Sequence, residues 1–234
     1  MNEYNKNNFV NILFLQFIAS IYSKINTHSH YYLIDKNKEN RKNYKNKIIR
    51  YTEQLINIIN KLISNEKYDE PLIYTKYIKE IIILALTSYA QVFIHDKNFS
   101  QLRIALKIIN DIISKLNIEK DFPYMAYINK IKGDYWFFNR DNKDINAAIT
   151  YYEGALDLLK ENSPKTASIL YNIGYAYFIK KNTSKAFEYL NRCINEYNKI
   201  LLEKNTFGYF IDIEDVNNKI YSLKKLIAQL SSKR

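Results

Sequence analysis

The sequence predicts an all-α fold of about nine antiparallel helices stacked as helical hairpins. Three observations carry that prediction. Apolar residues recur at three- and four-residue spacing, as in Ile48, Leu55, Ile59 and Ile63 or Leu102, Leu106, Ile109 and Ile113. No alternating pattern competes with that period. Only 4 Gly and 3 Pro are present, too few for the punctuation that strand hairpins, barrels and phosphate loops require.

Polar clusters separate nine segments, 8–24, 45–64, 70–95, 100–119, 123–139, 143–161, 164–181, 184–203 and 212–230. The first holds the apolar run Phe9 to Tyr22, which is interrupted by Asn11, Gln16 and Ser20. That run is shorter than the roughly 20 apolar residues of a spanning helix. Its flank carries Glu3 beside Lys6, unlike the basic start of a signal peptide. It reads as a buried or partner-covered helix. Residues 26–47, with Lys36, Lys38, Arg41, Lys42, Lys45 and Lys47 among many Asn, read as a long basic loop or a frayed helix start. The second and fourth segments show the stripes quoted above. Ser163 before Pro164 opens the seventh, because an N-cap oxygen precedes a proline whose missing N–H is not needed there. Asp212 and Asp215 suit the start of the ninth, where carboxylates complement the helix dipole.

Composition narrows the function classes. With 47% hydrophobic and 15% aromatic residues the chain can bury a sizeable core. Cys193 is the single cysteine, which excludes an internal disulfide and a thiolate metal site and fits a reducing compartment, cytoplasm or nucleus. A net charge of +11 suits an acidic partner. The same charge also suits plain base composition, because Asn, Lys, Ile and Tyr are the residues of AT-rich codons. His28, His30 and His95 lack any assignable Ser, Cys or carboxylate partner, so neither an enzyme nor a zinc site is expected. No cofactor is implied.

Small residues suggest how the helices pair. Gly174 is followed by Ala186 after twelve residues and Cys193 after seven more, the pattern of a tetratricopeptide-like hairpin. Ala90, Leu102 and Ile109 repeat the steps, and Gly133, Ala148 and Ala155 repeat them with a three-residue insertion. The distances of 43 from Ala90 to Gly133 and 41 from Gly133 to Gly174 exceed the repeat's usual length, which argues against a standard array.

Lys130 to Trp136 (KIKGDYW) resembles the K-M-K-G-D-Y-Y segment of the fifth helix of 14-3-3 proteins. Tyr152 to Leu156, Ser163-Pro164, Asn172 eight residues after that proline, Ser184 to Phe187 and Ile109 to Ile113 are each similar to family segments in order. The likeness covers about residues 105–230. It implies one 14-3-3-like domain over 1–234, a concave bundle with an amphipathic groove, with divergent N-terminal helices in 1–64 that can dimerise and groove-forming helices in 65–234. A homo- or heterodimer through the first helices is then expected.

The activity that the resemblance implies is binding of phosphoserine or phosphothreonine segments in a groove lined by the third, fifth, seventh and ninth helices. The implied groove residues are Lys130, Asp134, Asn172, Val216, Ile220 and Lys224, with Ile227 continuing the apolar wall. Phosphate recognition needs fixed cations, best an arginine fork. Where the family has an arginine and a tyrosine, this sequence has Phe137 and Phe138. Of two further family cations on the third helix, one position falls on Ala90 and the other on Lys97. The sequence therefore leaves three readings open. One is a phospho-adaptor with a degenerate pocket. A second is a phosphate-independent scaffold for unmodified or acidic segments. The third, disfavoured, is nucleic-acid binding through Lys36 to Lys47 with Tyr44 and Tyr51 stacking on bases. No membrane partner is expected.

Overall fold

The computed structural model describes residues 3–63, 76–141, 143–159, 164–202 and 213–231. Among them are nine helices and no strand: α1 Glu3–Ile34, α2 Lys38–Ile63, α3 Lys76–His95, α4 Phe99–Lys115, α5 Met125–Phe138, α6 Ile145–Leu156, α7 Pro164–Ile179, α8 Thr183–Leu202 and α9 Ile213–Ser231. The all-α class and the order of elements agree with the sequence reading. Ser163 and Asp212, the expected caps of α7 and α9, lie outside the described residues. Asp144 caps α6, its Oδ1 accepting from the Ala147 N–H at 3.0 Å.

The largest correction falls on residues 26–47. They form no long loop: α1 runs to Ile34 and α2 begins at Lys38. Two physical causes were diluted by the polar composition. The apolar stripe of α1 continues through it, with Ile18, Ile21, Ile25 and Tyr32 all buried. Asn37 then starts α2, its Oδ1 accepting from Glu39 N at 2.9 Å and Asn40 N at 3.3 Å. The Lys, Arg and Glu that follow are good helix formers.

The chain divides into two compact units, Met1–Ile131 and Lys132–Arg234. In the first, α1 packs on α2 and α3, α2 on α3, and α3 on α4. Helix α3 is long and apolar enough to cross a membrane, but 61% of that window is buried inside the protein. It behaves as a core helix, with Ile78, Ile82, Ile83, Ala85, Leu86 and Ala90 buried and Tyr77 at its start exposed. Of the run expected to need a partner's cover, Ile18 and Ile21 are buried within this chain, whereas Phe17 is 53% exposed. Side chains 9–14 of that run lie outside the described residues.

In the second unit α6 packs on α7, α7 on α8, and α8 on α9. The small-residue spacing has a direct cause here. A Cβ at Gly174 would lie 2.8 Å from Cγ of Leu190, so only glycine lets α7 meet α8 at this distance. Ala186 and Cys193 are fully buried on the α8 side. Burial pushes the Cys193 thiol up to about 12, and it donates to the Ala167 carbonyl at 3.1 Å. It is a packing residue, not a nucleophile.

Three helices end on one device. Lys97, Asn117 and Lys181 have φ of 55°, 48° and 58°, the left-handed position usual for glycine just past a helix. After each, the next N–H reaches back to the last turn: Asn98 to the Phe93 carbonyl at 2.8 Å, Ile118 to Ile113 at 3.0 Å, Asn182 to Tyr177 at 3.0 Å. Asn98 and Asn182 then cap the following helices, accepting from Gln101 N and Lys185 N, both at 3.1 Å. The pair Lys-Asn thus closes one helix and opens the next in both units.

Candidate functional site

In the second unit the Gly133-Asp134 pair holds three helices side by side. A Cβ at Gly133 would stand 2.5 Å from the Tyr152 ring, so the absent side chain is the seat of that ring. The Tyr152 hydroxyl donates to Asp134 Oδ1 at 2.7 Å, and the Asn172 amide donates to the same oxygen at 3.2 Å. Burial, the Asp134 charge and their hydrogen bond push the Tyr152 hydroxyl up, so it stays a donor, while the Asn172 bond acts the other way. One carboxylate therefore ties α5, α6 and α7 together.

That arrangement fixes where the residues implied by the resemblance sit. Asp134 is 3% exposed and serves the interior, not an open groove wall. Asn172, half-buried, spends a donor on Asp134. Phe137 is buried, with Phe138 at 4.8 Å, Tyr175 at 6.0 Å and Tyr152 at 6.4 Å between ring centroids. The position where the family has an arginine is thus filled by core. Val216 and Ile220 are buried as α9 packs on α8, while Lys224 is exposed and Ile227 half-buried. Lys130 and Lys97 belong to the first unit. Lys97 occupies a turn that needs its backbone conformation, as its counterpart Lys181 shows.

A feature outside the sequence reading is an aromatic row on α7. Tyr171 and Tyr175 stack at 6.1 Å with planes 4° apart, and Tyr175 stacks on Phe178 at 5.8 Å. Tyr171 is 40% and Phe138 45% exposed, so the row reaches solvent. Rings at steps of four and three on one helix face were available in the sequence as a signal.

The tetratricopeptide repeat family matches residues 137–199, about a quarter of the chain, from the end of α5 through most of α8. No curated protein matches. The repeat match coincides with the hairpin built on Gly174, Ala186 and Cys193, the place where long spacing had argued against a standard array. Helical pairs of this type serve as protein-interaction scaffolds, and that is the level of function the match supports. Nothing in it is specific to 14-3-3 proteins.

The first unit holds a second polar cluster, at the corner where α1, α2 and α3 meet. Tyr32 donates to Asp96 Oδ1 at 2.6 Å, and Lys45 pairs with Asp96 through Oδ2. Burial pushes the Asp96 carboxyl up, but the hydrogen bonds from Lys45 and Tyr32 and the Lys45 charge outweigh it and hold the carboxyl below its usual value. Arg41 lies over the Tyr32 ring at 5.2 Å and sets its guanidinium 2.7 Å from Nδ1 and 2.9 Å from Nε2 of His95. Burial and then Arg41 lower the His95 pKa against the pull of Asp96. His95 is therefore neutral near pH 7. The spacing of Lys38, Arg41, Lys42 and Lys45 on one helix face would have flagged this cluster had residues 26–47 been read as helix.

A pH dependence follows from both shifted histidines. His28 is also lowered, by burial and by Lys47. In the unfolded chain these imidazoles protonate near 6.5, whereas the folded state resists protonation until lower pH. Stability is then fully present above about pH 7 and falls as pH drops through 6.5 toward the folded values. We expect a lower melting temperature at pH 5.5 than at 7.5, with a smaller drop in His28→Gln with His95→Gln. An unchanged drop would place the cause elsewhere.

The tyrosines that could have stacked on bases are engaged with one another. Tyr44 stacks on Tyr31 at 5.5 Å and on His28 at 5.9 Å, and His28 stacks on Tyr51 at 5.8 Å. Among the described residues no group of three or more His, Cys, Asp or Glu is placed to hold a metal ion.

Proposed function

We propose that the chain is an adaptor whose second unit receives a partner's peptide segment on the exposed aromatic row of α7 and Phe138. It is 14-3-3-like in kind and takes segments carrying phosphoserine or phosphothreonine. The observation that carries this reading is the Asp134 knot: Gly133, Asp134 and Asn172, which bear the family likeness, are residues that fasten α5 and α6 to α7, the helix that bears the row. The repeat match supports the coarser part of it, a surface for protein partners. Partly exposed Tyr and Phe are suited to the task, because a rigid ring loses little freedom on burial.

A second reading rests on Phe137. Its burial means that α5 offers no arginine to a phosphate, so a phosphate-independent scaffold is the competitor. The test is a titration of a labelled Arg-containing phosphoserine peptide and its serine twin against the full chain. The phospho-adaptor reading expects at least a tenfold preference for phosphate, about 1.4 kcal/mol. Equal binding, abolished by Tyr171→Ala with Phe138→Ala, would sink it and establish the scaffold.

A further inference from the structure

The corner of the first unit carries an open, solvent-facing pocket of about 370 Å³ lined by Tyr32, Lys38, Arg41, Lys42, Lys45 and Asp96. Four cations face one carboxylate there, and that carboxylate is already claimed by Lys45 and Tyr32. Lys38 and Lys42 are exposed, and among the described residues no carboxylate pairs with either. The first turn of α2 adds the positive end of a helix dipole at the same place. Glu39 is on that turn but does not line the pocket.

Arg41 distinguishes the pocket from a solvated lysine patch. Its guanidinium is held between the Tyr32 ring and His95, so its direction is fixed before any ligand arrives. Its Nε is buried without a hydrogen-bond partner, so contact with a ligand falls to the part of the guanidinium that lines the pocket. A neutral His95 beside it adds no competing charge. Such a site selects a compact anion with several acceptor oxygens and more than one negative charge, which is the description of a phosphate group. A polymer backbone needs instead a track of cations with free stacking rings, and the nearby rings stack on one another.

We propose that this pocket binds a phosphate dianion, supplied as free phosphate or as the head of a phosphorylated side chain. Arg41 gives the directional contact, and Lys38 and Lys42 supply the charge. The inference stands on the first unit alone and does not rest on the aromatic row of the second.

The test is calorimetric titration of the full chain with inorganic phosphate, then with N-acetyl phosphoserine amide, at pH 7.5 and constant chloride. The wild type is expected to take up phosphate saturably at one site. Arg41→Gln with Lys42→Gln should weaken uptake at least tenfold, while Lys107→Gln, an exposed charge loss on α4, leaves it unchanged. Lys38→Gln, an exposed change, should weaken uptake severalfold and serves if the double variant loses its helical circular dichroism. Tighter uptake of the phosphoserine compound assigns the source to a side chain; tighter uptake of phosphate assigns it to the free ion. Absence of saturable uptake, equal uptake by wild type and pocket variants, or salt-sensitive binding of a single-stranded oligonucleotide without phosphate uptake would each overturn the proposal. The adaptor reading fails separately. A tenfold phosphopeptide preference that the pocket variants leave intact, together with unchanged phosphate uptake, keeps that reading and removes this one.

Discussion

Phe137→Arg, which restores the family's arginine to α5, is expected to unfold the second unit instead of creating a phosphate pocket. The ring is 4% exposed and packed among Phe138, Tyr152 and Tyr175. Removing such a ring costs about 3–5 kcal/mol by itself. An arginine would add a buried guanidinium next to Lys143, whose ammonium already lies 5.3 Å from the centre of the Phe137 ring. An uncompensated buried charge adds several kcal/mol more. Whole domains are stable by only about 5–15 kcal/mol, so little folded second unit should survive. The chain's single tryptophan, Trp136, lies in this unit and packs against Tyr135 at 5.2 Å, so its fluorescence reports the loss. A variant that keeps native Trp136 emission and gains phosphopeptide affinity would show Phe137 to be a replaceable pocket residue.

Tyr152→Ala is the second large effect. Tyr152 is fully buried, and its ring fills the space left by Gly133. Truncation opens a cavity and removes from a buried carboxylate oxygen the shorter of the hydrogen bonds it accepts from Tyr152 and Asn172. The cavity accounts for about 3–5 kcal/mol. Losing the donor adds about 1–3 kcal/mol. Tyr152→Phe keeps the ring and loses only the hydroxyl, so it should fall near the smaller figure alone. Urea unfolding followed by Trp136 fluorescence separates them, and equal midpoints for the two variants would mean that the packing against Gly133 contributes nothing.

What could be read from the sequence depended on whether one local cue decided the outcome. Stripes such as Ile48, Leu55 and Ile59 located helices because burial repeats at the helical period. Gly174, Ala186 and Cys193 located a hairpin because close approach tolerates only small groups. The connection at 35–37 was missed because its evidence was split: a stripe thinned by His28 and Ser29 on one side, and a single Asn cap on the other. Site residues were harder still. Asp134 and Asn172 were named from a family likeness as groove residues, yet their direction is set by Tyr152, which no spacing rule pairs with them. Tyr32 lies 63 and 64 residues before His95 and Asp96, and meets them only when α1, α2 and α3 pack.

The left-handed residues Lys97, Asn117 and Lys181 have a consequence for how much stability this chain can still gain. A side chain in that conformation costs roughly 1–2 kcal/mol that glycine does not incur. The backbone hydrogen bonds that close each turn do not involve these side chains, so the strain comes with the residue type and not with the turn. A sequence with so few glycines has therefore settled at helix ends that are serviceable without being optimal. Its hairpins hold a reserve that later substitution can release without moving an atom of the core.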